Sequence, residues 1–388
     1  EAHGGAMRIG DLRLHNGHFG FDRACDSQPW AQAMDFLEIT NSIRLAGTSV
    51  AYLSAQTYAL TNLWVDTGSV VKLRGNPFAV NADSGGTEAA PHGAGATVIC
   101  PSVTVNGTLS AFGEGFPGSY GPGLGTGTDG SAHGGQGSGP TSKPYGRLAR
   151  PSALGSGNLA APGNQWPGGG VVRLIVDGTL AVNGMIDASG YSWTRSGAGG
   201  SVWLTASNLT GNGAITACGG SAGTAPSAGG GGRIALSAVT DAFGGTLSVA
   251  GGTTTSALQS RTGTLFRCTA PLFGGGEPGF GVPSLDTAFA VQSNGVFVTR
   301  EVSRWDRVFE WTDDSRDNVG DPLSNAADYV LSGLPPDTAY SVYTNEMMAV
   351  ARVDSGPQGT VAVGGIALQP AAAVRIQPVV GGTTLLIR

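Results

Sequence analysis

Residues 169–190, GGVVRLIVDGTLAVNGMIDASG, are followed by a looser copy of themselves at 199–220, GGSVWLTASNLTGNGAITACGG. A third copy, GGRIALSAVTDAFGGTLSVAGG, occupies 231–252, so the period is about 31 residues. An earlier copy at 96–113, ATVICPSVTVNGTLSAFG, reads VNGTL where 182–186 reads VNGMI, and GTLFRC at 263–268 opens a last round. This repeat restricts the fold more than any other feature. Each copy offers a strand, a turn at Asn-Gly or Gly-Gly, a second strand and a Gly-rich return. Apolar residues alternate within the strands, so one face turns inward and the other outward. A unit this short cannot bury its apolar face alone, and the copies must stack.

Two arrangements satisfy that requirement. Asn-Gly suits two-residue hairpin turns, and a series of hairpins would build an antiparallel sandwich. Similar strands separated by long returns instead pair in parallel, like on like, with Ile234 and Leu236 standing over Val202 and Leu204. The second arrangement is the expected one: an all-β chain forming a parallel β-solenoid (β-helix) with a long Gly-rich insertion, followed by a C-terminal β-sandwich.

Composition agrees with an ordered all-β chain. Glycine supplies 66 of 388 residues and charged residues only 12%, yet 40% are hydrophobic, which separates the chain from disordered Gly-rich sequences. A net charge of −6 and the absence of Lys/Arg clusters argue against nucleic acid as partner. No apolar run is long enough for a transmembrane helix. A chain that opens on Glu1 fits a secreted product whose leader has been removed. Cys25, Cys100, Cys218 and Cys268 form no CxxC pair, so they are buried thiols or up to two disulfides; Cys218, inside a repeat beside a glycine, is expected to be a buried thiol.

The organisation expected along the chain has four parts. Residues 1–36 form an N-terminal arm with a candidate strand, MRIGDLRLH, that caps the stack or pairs with another subunit. Residues 37–268 form the solenoid, interrupted at 114–168 by a nearly strandless Gly/Pro/Ser-rich insertion. Its aromatic residues Phe116, Tyr120, Tyr145 and Trp166 argue that it packs on the solenoid or on a neighbouring molecule. Residues 269–284 read as a linker, and 285–388 hold several short strands, as in an immunoglobulin-like sandwich.

The ordered series GSAHGGQGSG (130–139), PYG (144–146), LGSG (154–157) and GGGVVRLIVDGTLAVNGMIDASG resembles the glycine-rich extracellular β-helical proteins of environmental bacteria. Their pattern is an HGG loop, a YG, a GSGGG and repeated GGxIxLxxxGTLxxNGxIxAxGG blocks. The likeness covers roughly residues 60–268, with GSGN here in place of GSGGG. It implies a surface or secreted structural protein and supplies no catalytic residue. YVLSGLPPDTAYSVYTN, at 329–345, resembles the corresponding strand and turn of fibronectin type III and related immunoglobulin-like modules.

Candidate chemistry is sparse. Asp177, Asp187 and Asp241 are nearly the only acids of the repeats, and glycosidic cleavage needs two carboxylates flanking one bond. The uncharged Ser207 and Thr216 replace Asp177 and Asp187 in the next copy, so both read as turn or outward-facing residues. His133 has no GxSxG elbow to make it a general base and reads as a loop hydrogen-bond donor. His15 and His18 have a metal-like spacing but no third ligand. The cluster Asp313, Asp314, Asp317 and Asp321 is a weak candidate for Ca²⁺, lacking the EF-hand spacing. Trp193, in a return loop, and Trp203, within an alternating strand, could stack on sugar rings, but the expected place of both is buried against the insertion.

The function expected is therefore structural: a secreted protein that self-associates into a filament, sheath or surface layer. Only six charged residues occur between 151 and 260: Arg173, Asp177, Asp187, Arg195, Arg233 and Asp241. That is too few to keep a long stack apart from its copies by charge. Assembly contacts are assigned to Met7, Ile9, Leu12 and Leu14 at one end and to Leu385, Leu386 and Ile387 at the other. A polysaccharide-binding adhesin is the alternative, and a β-helix carbohydrate-active enzyme the third reading.

Overall fold

The computed structural model describes residues 7–19, 37–159, 166–223, 226–255, 259–269, 284–289, 296–305, 308–317, 326–367 and 371–379. These residues are all-β, with no α-helix and a single 3-10 turn at Ala82–Ser84. The first strands are β1 (Met7–His15), β2 (His18–Phe19), β3 (Leu37–Ala46), β4 (Val50–Leu53), β5 (Thr57–Ala59), β6 (Asn62–Val65) and β7 (Val70–Leu73). The repeats then supply β8 (Ala96–Val105), β9 (Thr108–Ser110), β10 (Val171–Val182), β11 (Met185–Asp187), β12 (Ser201–Gly211), β13 (Ala214–Thr216), β14 (Arg233–Phe243), β15 (Thr246–Ser248) and β16 (Thr264–Thr269).

From β1 to β16 the chain deals strands to two parallel sheets. One runs β1-β3-β6-β8-β10-β12-β14-β16, with β5 beside β8; the other is the seven-stranded β2-β4-β7-β9-β11-β13-β15. The register stacks like on like: Val98, Leu174, Leu204 and Leu236 share one column. On the facing sheet Leu109, Ile186, Ile215 and Leu247 share another. These columns form one core between the sheets. The Asn-Gly corners thus turn the chain from one sheet to the other, and the hairpin alternative does not apply to the repeats.

The returns explain the glycine content. Gly200 and Gly232 hydrogen-bond through their amides to the Ala188 and Ala217 carbonyls, each at 2.7 Å. A Cβ at Gly200 would overlap the Gly170 carbonyl oxygen, and one at Gly232 the Gly200 oxygen. Successive coils therefore approach backbone to backbone here, which only Gly permits.

The insertion packs on these returns. Its backbone bonds directly to theirs: Gly135 N–H to Gly231 O at 2.7 Å, Gly230 N–H to Ser131 O at 2.9 Å, and Gly155 N–H to Gly169 O at 2.8 Å. Phe116, Tyr145 and Trp166 are buried, while Tyr120 is exposed.

The last strands are β17 (Ser284–Phe289), β18 (Val296–Trp305), β19 (Phe309–Asp317), β20 (Ala326–Ser332), β21 (Ala339–Thr344), β22 (Met347–Asp354), β23 (Thr360–Ala367) and β24 (Ala371–Pro378). β18 pairs in parallel with β16, from Leu265↔Phe297 to Thr269↔Glu301. The long sheet thereby continues, now antiparallel, through β19, β24, β21 and β22. β17, β20 and β23 make a separate antiparallel sheet of three. A second core joins Val298, Trp311, Tyr329 and Val374 of these strands to Trp203, Ala235, Phe266 and Cys268 on the outer face of the repeats. Residues 270–283, most of the expected linker, lie outside the described residues.

Cys100, Cys218 and Cys268 are free thiols, Cys100 and Cys268 buried but Cys218 only half-buried, where a buried thiol was expected; Cys25 lies outside the described residues.

Candidate functional site

A polar grouping is buried where the insertion meets the repeats. Its centre is Arg233, the first residue of β14. The register places Val171, Ser201 and Thr264 at equivalent positions of β10, β12 and β16, so the guanidinium occurs in one coil only. Arg233 is 2% exposed. Its Nε and Nη2 donate to the Tyr145 carbonyl at 3.0 and 2.7 Å, and its Nη1 to Thr264 Oγ1 at 2.9 Å. Burial lowers its pKa to about 10. Gly146 follows with φ +81°, and this left-handed turn is the reason PYG ends in Gly.

His133 adjoins Arg233 and is 0% exposed. Its Nδ1 lies 2.8 Å from the Gly199 carbonyl, an acceptor only, so Nδ1 carries the proton and Nε2 the lone pair. Nε2 has no hydrogen-bond partner among the described residues. Burial, and then the Arg233 charge, press the imidazole pKa down to about 3. The ring packs 4.8 Å from Tyr145, which in turn packs 5.1 Å from His92. Tyr145 donates to the Leu154 carbonyl and accepts from Ser156 Oγ at 2.9 Å, and burial raises its pKa. His92 Nδ1 lies 2.9 Å from both Ser84 O and Ser84 Oγ, and burial lowers its pKa. A neutral, enclosed imidazole facing a guanidinium fixes the insertion in place; its geometry is that of a lock.

A second buried grouping ties the long sheet to the C-terminal sheet. Arg300 Nε and Nη2 pair with Asp313 Oδ1 and Oδ2 at 2.7 and 2.8 Å, and Tyr329 donates to Asp313 Oδ2 at 2.7 Å. Burial alone would lower the Arg300 pKa, but the Asp313 charge outweighs it and holds it above the usual value. Burial pushes the neighbouring Cys268 thiol up to about 11, which makes it inert as a nucleophile at neutral pH. Asp313 thus has both oxygens engaged, while the side chains of Asp314 and Asp317 and all of Asp321 lie outside what is described. No group of three or more His, Cys, Asp or Glu side chains able to hold a metal occurs among the described residues.

The remaining candidates are dispersed. Asp177 lies within β10 and Asp187 at the end of β11, strands of different sheets. Asp241 is paired with Arg267, Nη2 to Oδ1 at 2.8 Å. His15 and His18 lie on β1 and β2, again on different sheets. Trp203 is buried beneath Arg173, 4.0 Å from its ring centroid, in the core that also holds Leu148 of the insertion. Trp193, expected to be buried against the insertion, is instead 63% exposed. Of the assembly candidates, Met7 and Ile9 belong to β1, which pairs with β3 of its own chain. Leu12 is buried, and Leu14 packs half-buried against the core. Leu385, Leu386 and Ile387 lie outside the described residues. Sequence reasoning missed Arg233 as a site residue; its signal was a charged residue where the other copies carry Val, Ser or Thr.

Compared with known proteins, the chain matches no family model, no curated protein and no solved structure. No helix among the described residues is long and apolar enough to cross a membrane.

Proposed function

We propose that this chain is a structural protein of an extracellular surface, a parallel β-solenoid closed by a C-terminal immunoglobulin-like sandwich, which associates with copies of itself. The observation that carries the reading is where its reactive groups go. His133, Arg233, Arg300 and Asp313 are all buried and spent on internal contacts that fasten one part of the chain to another. Two of the six charges between 151 and 260, Arg233 and Asp241, are withdrawn from the surface, which leaves the flank still less charged. β1 and β2 stand at the N-terminal edges of the two sheets, with one described neighbour each. At the opposite ends β22 closes the long sheet and β15 the seven-stranded sheet, again with one described neighbour each, so strand edges for association stand at both ends. The resemblance to glycine-rich extracellular β-helical proteins points the same way.

Sedimentation velocity and negative-stain electron microscopy of the full chain over a concentration series test this. Particles joined at one end, or longer filaments and sheets, are the expected result. Single particles at every concentration would overturn self-association.

A further inference from the structure

Residues 131–138 of the insertion run across three successive returns. In the return before β12, the Gly199 carbonyl accepts from His133 Nδ1 at 2.8 Å. In the return before β14, Ala228 O accepts from the Ser138 amide at 3.0 Å, Gly230 N–H donates to Ser131 O at 2.9 Å, and Gly231 O accepts from the Gly135 amide at 2.7 Å. In the return before β16, Arg261 N–H donates to Gln136 O at 2.8 Å. The stretch is thus a strap over three coils, and apart from the His133 contact these bonds join backbone groups that do not titrate.

His133 is where a proton can act on the strap. The ring is fully enclosed, and Nε2, the atom to which a proton would add, has no hydrogen-bond partner among the described residues. A methyl built on Gly146 would touch both Nε2, at 3.5 Å, and Arg233 Nε, at 3.6 Å, so ring and guanidinium flank one small space. A second positive charge there has nothing to balance it. Among the described residues, the groups facing His133 are Arg233 from β14, Tyr145 from the insertion and His92 from the segment before β8; Gly199 and Gly200 offer backbone alone. No carboxylate is among them. Burial, and then the Arg233 charge, keep the enclosed ring neutral down to about pH 3, whereas a ring in water takes up its proton near about pH 6.5. The core between the two sheets gives acid no such handle: apart from the Cys100 thiol its side chains are aliphatic or aromatic, with no carboxylate or imidazole.

We propose that the insertion is an acid-released strap: protonation of His133 frees residues 131–146 from the returns while the stacked strands stay folded. Release uncovers the Arg233 guanidinium and the backbone groups of Gly230 and Gly231. This goes beyond the structural role and does not depend on self-association.

Hydrogen exchange of the full chain from pH 7 to pH 4, with rates corrected for the intrinsic pH dependence of exchange, tests it. Opening takes up one proton in this window, so protection of the Gly135, Ser138 and Gly230 amides is expected to fall about tenfold per pH unit below about pH 6.5. The amides of Val202, Leu204 and Leu236, in β12 and β14, keep their protection. His133→Asn removes the slope, while leaving in place the Arg74–Glu114 pair and the bond from the Thr141 amide to Asp129. Ring nitrogen shifts measured by NMR need no variant: His133 is expected to keep a bare Nε2 at pH 5, where an exposed imidazole is protonated. Protection that does not change with pH, the same slope in His133→Asn, strands that open in step with the insertion, or a His133 ring protonated at pH 5 would each overturn the proposal.

Discussion

His133 has a consequence that can be measured in solution. It is held neutral in the fold, with its pKa lowered to about 3, against about 6.5 in an unfolded chain. Between those values the unfolded chain binds a proton that the folded chain refuses, so stability rises with pH across this window. The contribution is complete above about pH 6.5 and drains away as pH falls toward 3. It amounts to up to about 3 kcal/mol lost by pH 4. His133→Asn keeps a donor for the Gly199 carbonyl but does not titrate. Urea midpoints at pH 7 and pH 4 should therefore differ less for His133→Asn than for the parent chain. An unchanged difference would show that His133 does not carry the acid response. The hydrogen-bonding role expected of this residue was legible in its loop; its fixed tautomer and enclosure were not, because Arg233 lies a hundred residues away and nothing local announces the pair.

At the scale of the element, what could be read was what side chains write. Columns such as Val98, Leu174, Leu204 and Leu236 advertise their own register, because each copy repeats the same alternation. That the insertion packs was legible in its aromatic residues, but the contacts that hold it were opaque for the opposite reason. Besides the Arg233 and His133 contacts it is held by backbone bonds such as Gly135 to Gly231, and backbone groups are the same in every residue, so only the density of glycine hints at them. That density is open to test. Gly200→Ala would press a methyl against the Gly170 carbonyl, where two coils meet and neither can retreat without breaking its bonds. A loss of about 3 kcal/mol is expected from overpacking of this kind. Gly10→Ala, where nothing lies within 4 Å, should change stability by no more than about 0.5 kcal/mol. Chemical denaturation of the two variants, side by side, distinguishes close backbone packing from glycine used merely for flexibility.

For the whole molecule, the strands at the C-terminal end were readable one by one, but their partners were not. A parallel pairing of β16 with β18 spans a segment with no repeat to align it, and the Arg300–Asp313 pair faces Tyr329 from another sheet. The consequence is mechanical continuity: the sheet that begins at β1 runs on past the repeats, and the outer face at Trp203, Ala235 and Phe266 shares a core with Trp311 and Tyr329. Trp311 is wholly buried, edge-on to Tyr329 with ring centroids 5.2 Å apart. Trp311→Ala should cost about 3–5 kcal/mol, as large cavities do. If the two parts unfold as one, hydrogen exchange in this variant will quicken in β14 and β16 as well as in β18, β19 and β24. If quickened exchange stops at β18, the C-terminal strands form a unit that the repeats merely carry. Shared exchange is the expected outcome, because a sheet edge stripped of β18 exposes both the unpaired backbone of β16 and the apolar side chains of Phe266 and Trp203.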